Sequence, residues 1–208
     1  GVKQYIGMVL DDMFGELNET QRELLTRANE NNERQLKIVS DLLKVAQVDS
    51  GKMVLHREPV DISTLVHGVI QDQTDMFKRR GQMLEFQASK KVAVVEADKD
   101  VVRMVVENII DNASKYTPEG KNIVVLVKEG RLFVSIVVRD EGVGVAKDKR
   151  DRLFEKFNRI DNPLSTKVGG TGLGLYWAKR SVELHGGSLV YEPLRPVGSM
   201  FTIKLPKV

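Results

Sequence analysis

An α+β fold, a helical hairpin followed by a mixed-sheet sandwich, is what the sequence predicts, and three observations predict it. Residues 1–50 place their apolar side chains at helical spacing. From about residue 56 onward, helix-like segments alternate with strand-like ones. The glycine run Gly169-Gly170-Thr171-Gly172-Leu173-Gly174-Leu175 then leads straight into a helix-like stretch, Tyr176 to His185. Glycines let a backbone approach an anion closely, and a helix start behind them offers unpaired N–H groups at the positive end of a dipole. Such a run is a phosphate cradle or a flexible loop, and other residues must decide.

Each element has its own signature. Val2, Tyr5, Ile6, Val9, Leu10 and Met13 form one apolar stripe that ends at Phe14-Gly15-Glu16-Leu17. Asn18 with Gln21 three residues on is a variant capping box, and the helix it opens runs to about Ser50, where Gly51 stops it. Leu24, Ala28, Ile38, Leu42 and Val45 line one side of that helix, and Leu25, Leu36, Val39, Leu43 and Ala46 widen the stripe. The face is too wide for one partner helix, so two hairpins are expected to associate as a four-helix bundle, a C2 homodimer. Packing against the chain's own C-terminal part is the alternative.

Residues 51–56 read as a linker between a hairpin domain, 1–50, and a second domain, 57–208. Asp61 caps a helix through about Arg80, Leu84 to Ala88 and Val92 to Glu96 are strands, and Asp98 to Tyr116 is helical. Ile123 to Lys128 and Leu132 to Val138 form a hairpin turned at Glu129-Gly130, and Leu189 to Glu192 with Met200 to Leu205 close the chain as strands. The expected product is a mixed sheet under one layer of helices.

Composition narrows the function. With 208 residues and 41% hydrophobic side chains the chain is long enough for a real core, and without cysteine it has neither disulfides nor thiolate chemistry. The net charge of +3 comes from 32 basic and 29 acidic residues that are interspersed, which argues against a nucleic-acid binder. No apolar window is long enough to span a bilayer and no signal-peptide plan opens the chain, so a cytoplasmic location is expected, with membrane attachment only through upstream segments. The chain opens at Gly1 in what reads as mid-helix, as a fragment of something longer would.

Two constellations carry chemistry. Asn108, Asn112 and Lys115 lie at i, i+4 and i+7 on one helix face. An asparagine carbonyl is a neutral oxygen ligand suited to Mg²⁺, which keeps waters and takes further ligands from phosphates, and a lysine beside it neutralises phosphate charge. Asp140-Glu141-Gly142-Val143-Gly144 follows directly on a strand. A carboxylate there can accept a hydrogen bond from an exocyclic amine such as adenine's, and the two glycines admit a flat base.

Read in order, these pieces resemble the ATP-binding catalytic domain of sensor histidine kinases, an α/β sandwich of the Bergerat or GHKL type. Asn108 to Tyr116 is similar to the family's N box, Asp140 to Gly144 to its G1 box, Phe154 to Phe157 to its F box and Gly170 to Gly174 to its G2 box. Residues 1–50 resemble the dimerisation and phosphotransfer hairpin. The resemblance implies ATP and Mg²⁺ as cofactors. Asn112 would coordinate the metal, with Asn108 supporting or sharing that role, and Asn108, Lys115 and Arg159 would serve catalysis, Lys115 and Arg159 at the phosphates. Tyr116, Asp140, Gly142 and Gly144 would line the adenine side, while Lys167, Gly170, Thr171, Gly172, Leu173 and Gly174 would form the lid and phosphate loop. Phe154 and Phe157 would be lid anchors and core.

The resemblance further implies a homodimer that transfers the γ-phosphoryl group to a histidine and thence to a response-regulator aspartate. Neither His56, His67 nor His185 has the sequel of the family's H box, so all three read as structural, and the H box either lies upstream of Gly1 or does not exist. Two other functions remain open: a GHKL-type ATPase, which would need a glutamate where Asn108 stands, and a nucleotide-binding pseudokinase scaffold.

Overall fold

The computed structural model describes residues 1–89, 93–159 and 170–207, and it divides into two compact units, Gly1–Ala46 and Gln47–Val208. In the first, helix α1 (Val2–Leu10) stops short of the expected Met13 because Asp12 takes a left-handed conformation, φ 56°. Helix α2 (Glu19–Asp49) begins with the expected reciprocal bonds: Gln21 N donates to Asn18 Oδ1 at 2.8 Å, and Asn18 N to Gln21 Oε1 at 3.0 Å. Lys3 pairs with Glu33 and Arg22 reaches the Leu10 carbonyl, so the two helices run antiparallel. Leu24, Leu36 and Leu43 remain 61%, 54% and 61% exposed on α2.

In the second unit, α2 ends in a Schellman arrangement, with Gly51 at φ +66° and Lys52 N bonded to Gln47 O. Strand β1 (Glu58–Asp61) follows, just past the expected linker and ending on the expected helix cap, Asp61. It pairs antiparallel with β3 (Val94–Ala97), so the strand expected around Val92 to Glu96 belongs to a two-stranded ribbon and not to the main sheet. Between them lie α3 (Ile62–Arg79), capped by Asp61 through Ser63 N and Thr64 N, and β2 (Met83–Ala88). After β3 come α4 (Lys99–Tyr116), β4 (Asn122–Glu129), β5 (Phe133–Asp140), a 3-10 turn at Lys147–Lys149, α5 (Gly174–Leu184), β6 (Ser188–Pro193) and β7 (Ser199–Pro206).

The five-stranded sheet has the order β2-β4-β5-β7-β6, with β2 parallel to β4 and the other pairs antiparallel, a mixed sheet as expected. Alternation sets its register. Val125 faces Val138 and Val138 faces Phe201, while Val127, Ile136, Ile203 and Leu189 make the next row, all of them buried. Val102, Val105, Ile109 and Ile110 of α4, with Val66 and Val69 of α3 and Ala178 and Val182 of α5, complete the core. Each fully buried isoleucine contributes roughly 1.5–3 kcal/mol.

One buried polar cluster ties the start of α4 to the end of α5. Asp98 caps α4 through Val101 N at 3.1 Å and accepts His56 N at 2.9 Å, while its own N–H donates to His185 Nε2 at 3.0 Å. His185 Nδ1 lies 2.8 Å from Ser181 O, so the ring is neutral with its proton on Nδ1. Burial, reinforced by the charge of Arg57, outweighs the Ser181 contact and Asp98, and lowers the His185 pKa from 6.5. A depressed histidine stabilises the fold fully above the unfolded value and loses that contribution as pH falls below it. The stability gap between wild type and His185→Gln should therefore narrow in urea melts as pH drops below about 6.5. A gap independent of pH would contradict the neutral ring.

Candidate functional site

Helix α4, the end of β5 and the start of α5 carry the predicted residues, and two sets of contacts join these elements. On α4, Asn112 Nδ2 donates to Asn108 Oδ1 at 3.0 Å, which leaves the Asn112 carbonyl oxygen at the opposite edge of the amide. Asn108 in turn lies against the first residue of α5: a Cβ on Gly174 would fall 2.3 Å from Asn108 Nδ2. The N-box stripe and the glycine run, 66 residues apart from Asn108 to Gly174, thus meet. Lys115 is held back along its own helix, its Nζ 2.5 Å from Asp111 Oδ2, and must leave that partner to reach a phosphate.

Asp140 is the last residue of the central strand and only 3% exposed. Its Oδ1 accepts Gly142 N at 2.9 Å and Ser199 N at 3.2 Å. Burial pushes its pKa up to about 6, against the opposing bonds from Gly142 and Ser199. A buried carboxylate with so high a pKa, next to a glycine turn, is the kind of group that a ligand donor completes.

The turn after Asp140 packs on the end of α4. Val143 N donates to Tyr116 O at 3.0 Å, and a Cβ on Gly142 would lie 2.4 Å from Tyr116 O and 2.6 Å from Asp140 Oδ1. Gly144 has φ +67° and approaches Gly198. Tyr116 is half-buried beside Asp111 and Arg159, and burial, with Asp111, raises its pKa against the pull of Arg159. Arg159, although exposed, is therefore close enough to Tyr116 to act on its charge.

The glycine loop closes the far side. Gly172, at φ +69°, sits on the backbone of Phe157 and Asn158, and Thr171 Oγ1 accepts Leu173 N at 3.3 Å. Leu173 is 1% exposed, and α5 starts behind it with no side-chain cap, its first amides directed to the loop. A Cβ on Gly170 would meet open space. Lys167 and most of the expected lid lie outside the described residues. Phe154 is half-buried with Lys179 5.0 Å above its ring, whereas Phe157 is 64% exposed at φ 59° and is no core residue.

His56 and His185 are bound into the Asp98 cluster, and His67 packs against the Phe86 ring at 5.7 Å, so each has a structural role. Asp49, which sequence reasoning passed over, accepts Tyr176 OH and Lys156 Nζ, both at 2.5 Å. Those two partners flank the stretch 158–170 in sequence, a link spanning more than 100 residues that no local pattern could signal.

Among the described residues no cluster of three or more His, Cys, Asp or Glu is arranged to hold a metal. An asparagine carbonyl fits Mg²⁺ all the same, because that ion takes most of its ligands from water and phosphate. No helix among the described residues is long and apolar enough to cross a membrane.

Comparisons with known proteins give the family. The family model described as "Histidine kinase-, DNA gyrase B-, and HSP90-like ATPase" matches residues 97–208. The chain is 33% identical over 198 residues to the circadian input-output histidine kinase CikA of Synechococcus elongatus, covering 93% of this chain and 26% of that one. It is 33% identical over 209 residues to the sensor histidine kinase WalK of Bacillus subtilis, covering 99% of this chain and 34% of that one. The chain thus spans about a quarter to a third of the length of these relatives. A crystal structure of full-length ShkA in complex with AMPPNP superposes with a TM-score of 0.81 at 27% identity, over 99% of this chain and 42% of that one. With Asn108, Asn112, Asp140 and the glycine loop assembled as described, and the match extending over more than half its length, the chain belongs to the histidine kinase-, DNA gyrase B- and HSP90-like ATPase family.

Proposed function

We propose that this chain is the ATP-dependent kinase core of a two-component signalling protein. Mg·ATP held by the second unit donates its γ-phosphoryl group to a histidine other than His56, His67 and His185, and the phosphate passes to an aspartate of a response regulator. The observations that support this best are that the glycine turn after buried Asp140 packs on the end of α4 and that the Asn108–Asn112 pair of the same helix meets Gly174. Asp140 receives the adenine amine, and Gly142 and Gly144 admit the base beside Tyr116. Asn112 supplies a carbonyl to Mg²⁺ and Asn108 holds its amide in place. Lys115, released from Asp111, and Arg159 carry the phosphate charge. Catalysis is then positioning plus charge neutralisation.

Asn108 favours phosphotransfer over hydrolysis. It stands where the related ATPases have a glutamate base, and a neutral amide bonded to Asn112 cannot take a proton from water. Incubating a form extended through a histidine-bearing helix with labelled ATP should place acid-labile, base-stable phosphate on the protein. Release of free phosphate without protein labelling would support the ATPase instead.

The exposed leucines of α2 support a homodimer through the hairpin. Sedimentation should give a dimer for wild type and a monomer for the Leu36→Glu, Leu43→Glu double variant. An unchanged dimer would place the interface elsewhere. In this reading the core works in the cytoplasm.

A further inference from the structure

We propose that Gln82 is a positioning residue for the nucleotide site, a brace that fixes the last turn of α4 and through it Tyr116 and the Gly142–Val143 turn. Helix α4 ends without a glycine: its C-cap, Thr117, is extended at φ −102° and ψ 123°. The carbonyls of its last turn therefore need partners from elsewhere. Thr117 Oγ1 takes Ala113 O at 2.7 Å. Val143 N takes Tyr116 O at 3.0 Å. One side chain takes a third carbonyl and that of the C-cap, since Gln82 Nε2 donates to Ser114 O at 2.7 Å and to Thr117 O at 2.5 Å.

The brace is itself held. Gln82 Oε1 accepts from Ser114 Oγ at 2.6 Å, and Ser114 Oγ accepts Arg80 Nη1 at 2.7 Å. Gln82 is 8% exposed, Ser114 1% and Thr117 4%, so water competes little for these bonds. The backbone on either side is pinned as well: Gln82 N to Phe77 O, Gly81 O from Gly120 N, and Met83 N to Lys121 O. A side chain on so fixed a base, clasping Ser114 and Thr117, determines where the intervening Lys115 and Tyr116 stand. Tyr116 O then sets the place of Val143, and its close approach leaves Gly142 no room for a Cβ.

This assignment rests on the reading of Asp140 and its neighbours as an ATP site, and the two are separable by experiment. Mg·AMP-PNP is titrated calorimetrically into the full chain and its variants at a temperature well below every melting midpoint. Gln82→Met, of similar length but without donors, and Gln82→Glu, which turns an oxygen toward two carbonyls, should each weaken binding about tenfold or more. Ser114→Ala removes the hydroxyl links to Gln82 and Arg80 but leaves both Nε2 bonds. It should change affinity less than about threefold even where its melting midpoint falls as far as that of a Gln82 variant. Wild-type affinity in folded Gln82→Met or Gln82→Glu would overturn the brace, and so would an equal loss in Ser114→Ala, which would make the effect one of stability alone. Wild-type protein that fails to bind Mg·AMP-PNP, or binding that survives Asp140→Ala, would overturn the site reading on which the brace depends.

Discussion

Asp140→Asn is expected to make the chain more stable and unable to hold ATP. The carboxylate ends the central strand almost wholly buried, and its pKa stands at about 6 against an ordinary 3.8. Two units of pKa correspond to about 3 kcal/mol by which the fold disfavours the ionised form. The asparagine keeps an oxygen for Gly142 N and Ser199 N and removes the charge. Its outward group becomes a donor, which meets the adenine amine donor to donor, and binding should fall at least a hundredfold. The sign with pH is fixed. A raised carboxyl pKa penalises the fold above the unfolded value, the penalty grows from about 3.8 to about 6 and is constant above that. The stability advantage of the asparagine variant should therefore be full at pH 7.5 and shrink as pH falls through 6. Urea titrations across that range check it, and an advantage that grows toward acid pH would contradict the buried, ionised carboxylate.

Gly142→Ala is the second large effect. The residue does not sit in the left-handed region, so the alanine is excluded by contact and not by conformation. Its Cβ would be 2.4 Å from the Tyr116 carbonyl and 2.6 Å from Asp140 Oδ1, and both are fixed by other bonds. The turn must move off the end of α4, at roughly 1–3 kcal/mol of overpacking. The displacement carries Val143 away from Tyr116 and narrows the approach for a base. Mg·AMP-PNP affinity should drop by about two orders of magnitude. Gly7→Ala is the control, since its Cβ would meet open space on α1, none of whose residues is placed in the site, and its affinity should stay near wild type. Equal losses in the two variants would mean that glycine content, and not this contact, matters.

Where a local rule decides the outcome, the sequence was enough. Asn18 with Gln21 and Asp61 cap their helices because each side chain reaches amides two or three residues on. The β4–β5 hairpin follows from alternation, and Asp140 and its glycines stand at the strand end as their order implies. Lys115, expected at the phosphates, pairs here with Asp111 four residues before it, an i, i+4 ion pair that the spacing already displays. Phe157, which the family resemblance implies to be a lid anchor and core residue, stands 64% exposed at φ 59°.

Strand β1 escaped notice because it is four residues long, contains Pro59 and runs into the Asp61 helix cap, and only pairing with β3 makes it a strand. Gln82, the Asp98–His185 bond and Asp49 were beyond reach for a common reason. Their partners lie 32 to 127 residues away, and neither periodicity nor capping rules extend that far.

The central claim is that one space between α4, the β5 end and the start of α5 holds the nucleotide. Backbone and side-chain amide NMR of the ¹⁵N-labelled chain titrated with Mg·AMP-PNP tests it most directly. Saturable shifts should concentrate at Tyr116, Gly142, Gly144, Gly172 and Gly174 and at the side-chain amides of Asn108 and Asn112. An unperturbed Asn108–Asn112 pair, or shifts that gather elsewhere on the chain, would contradict the account.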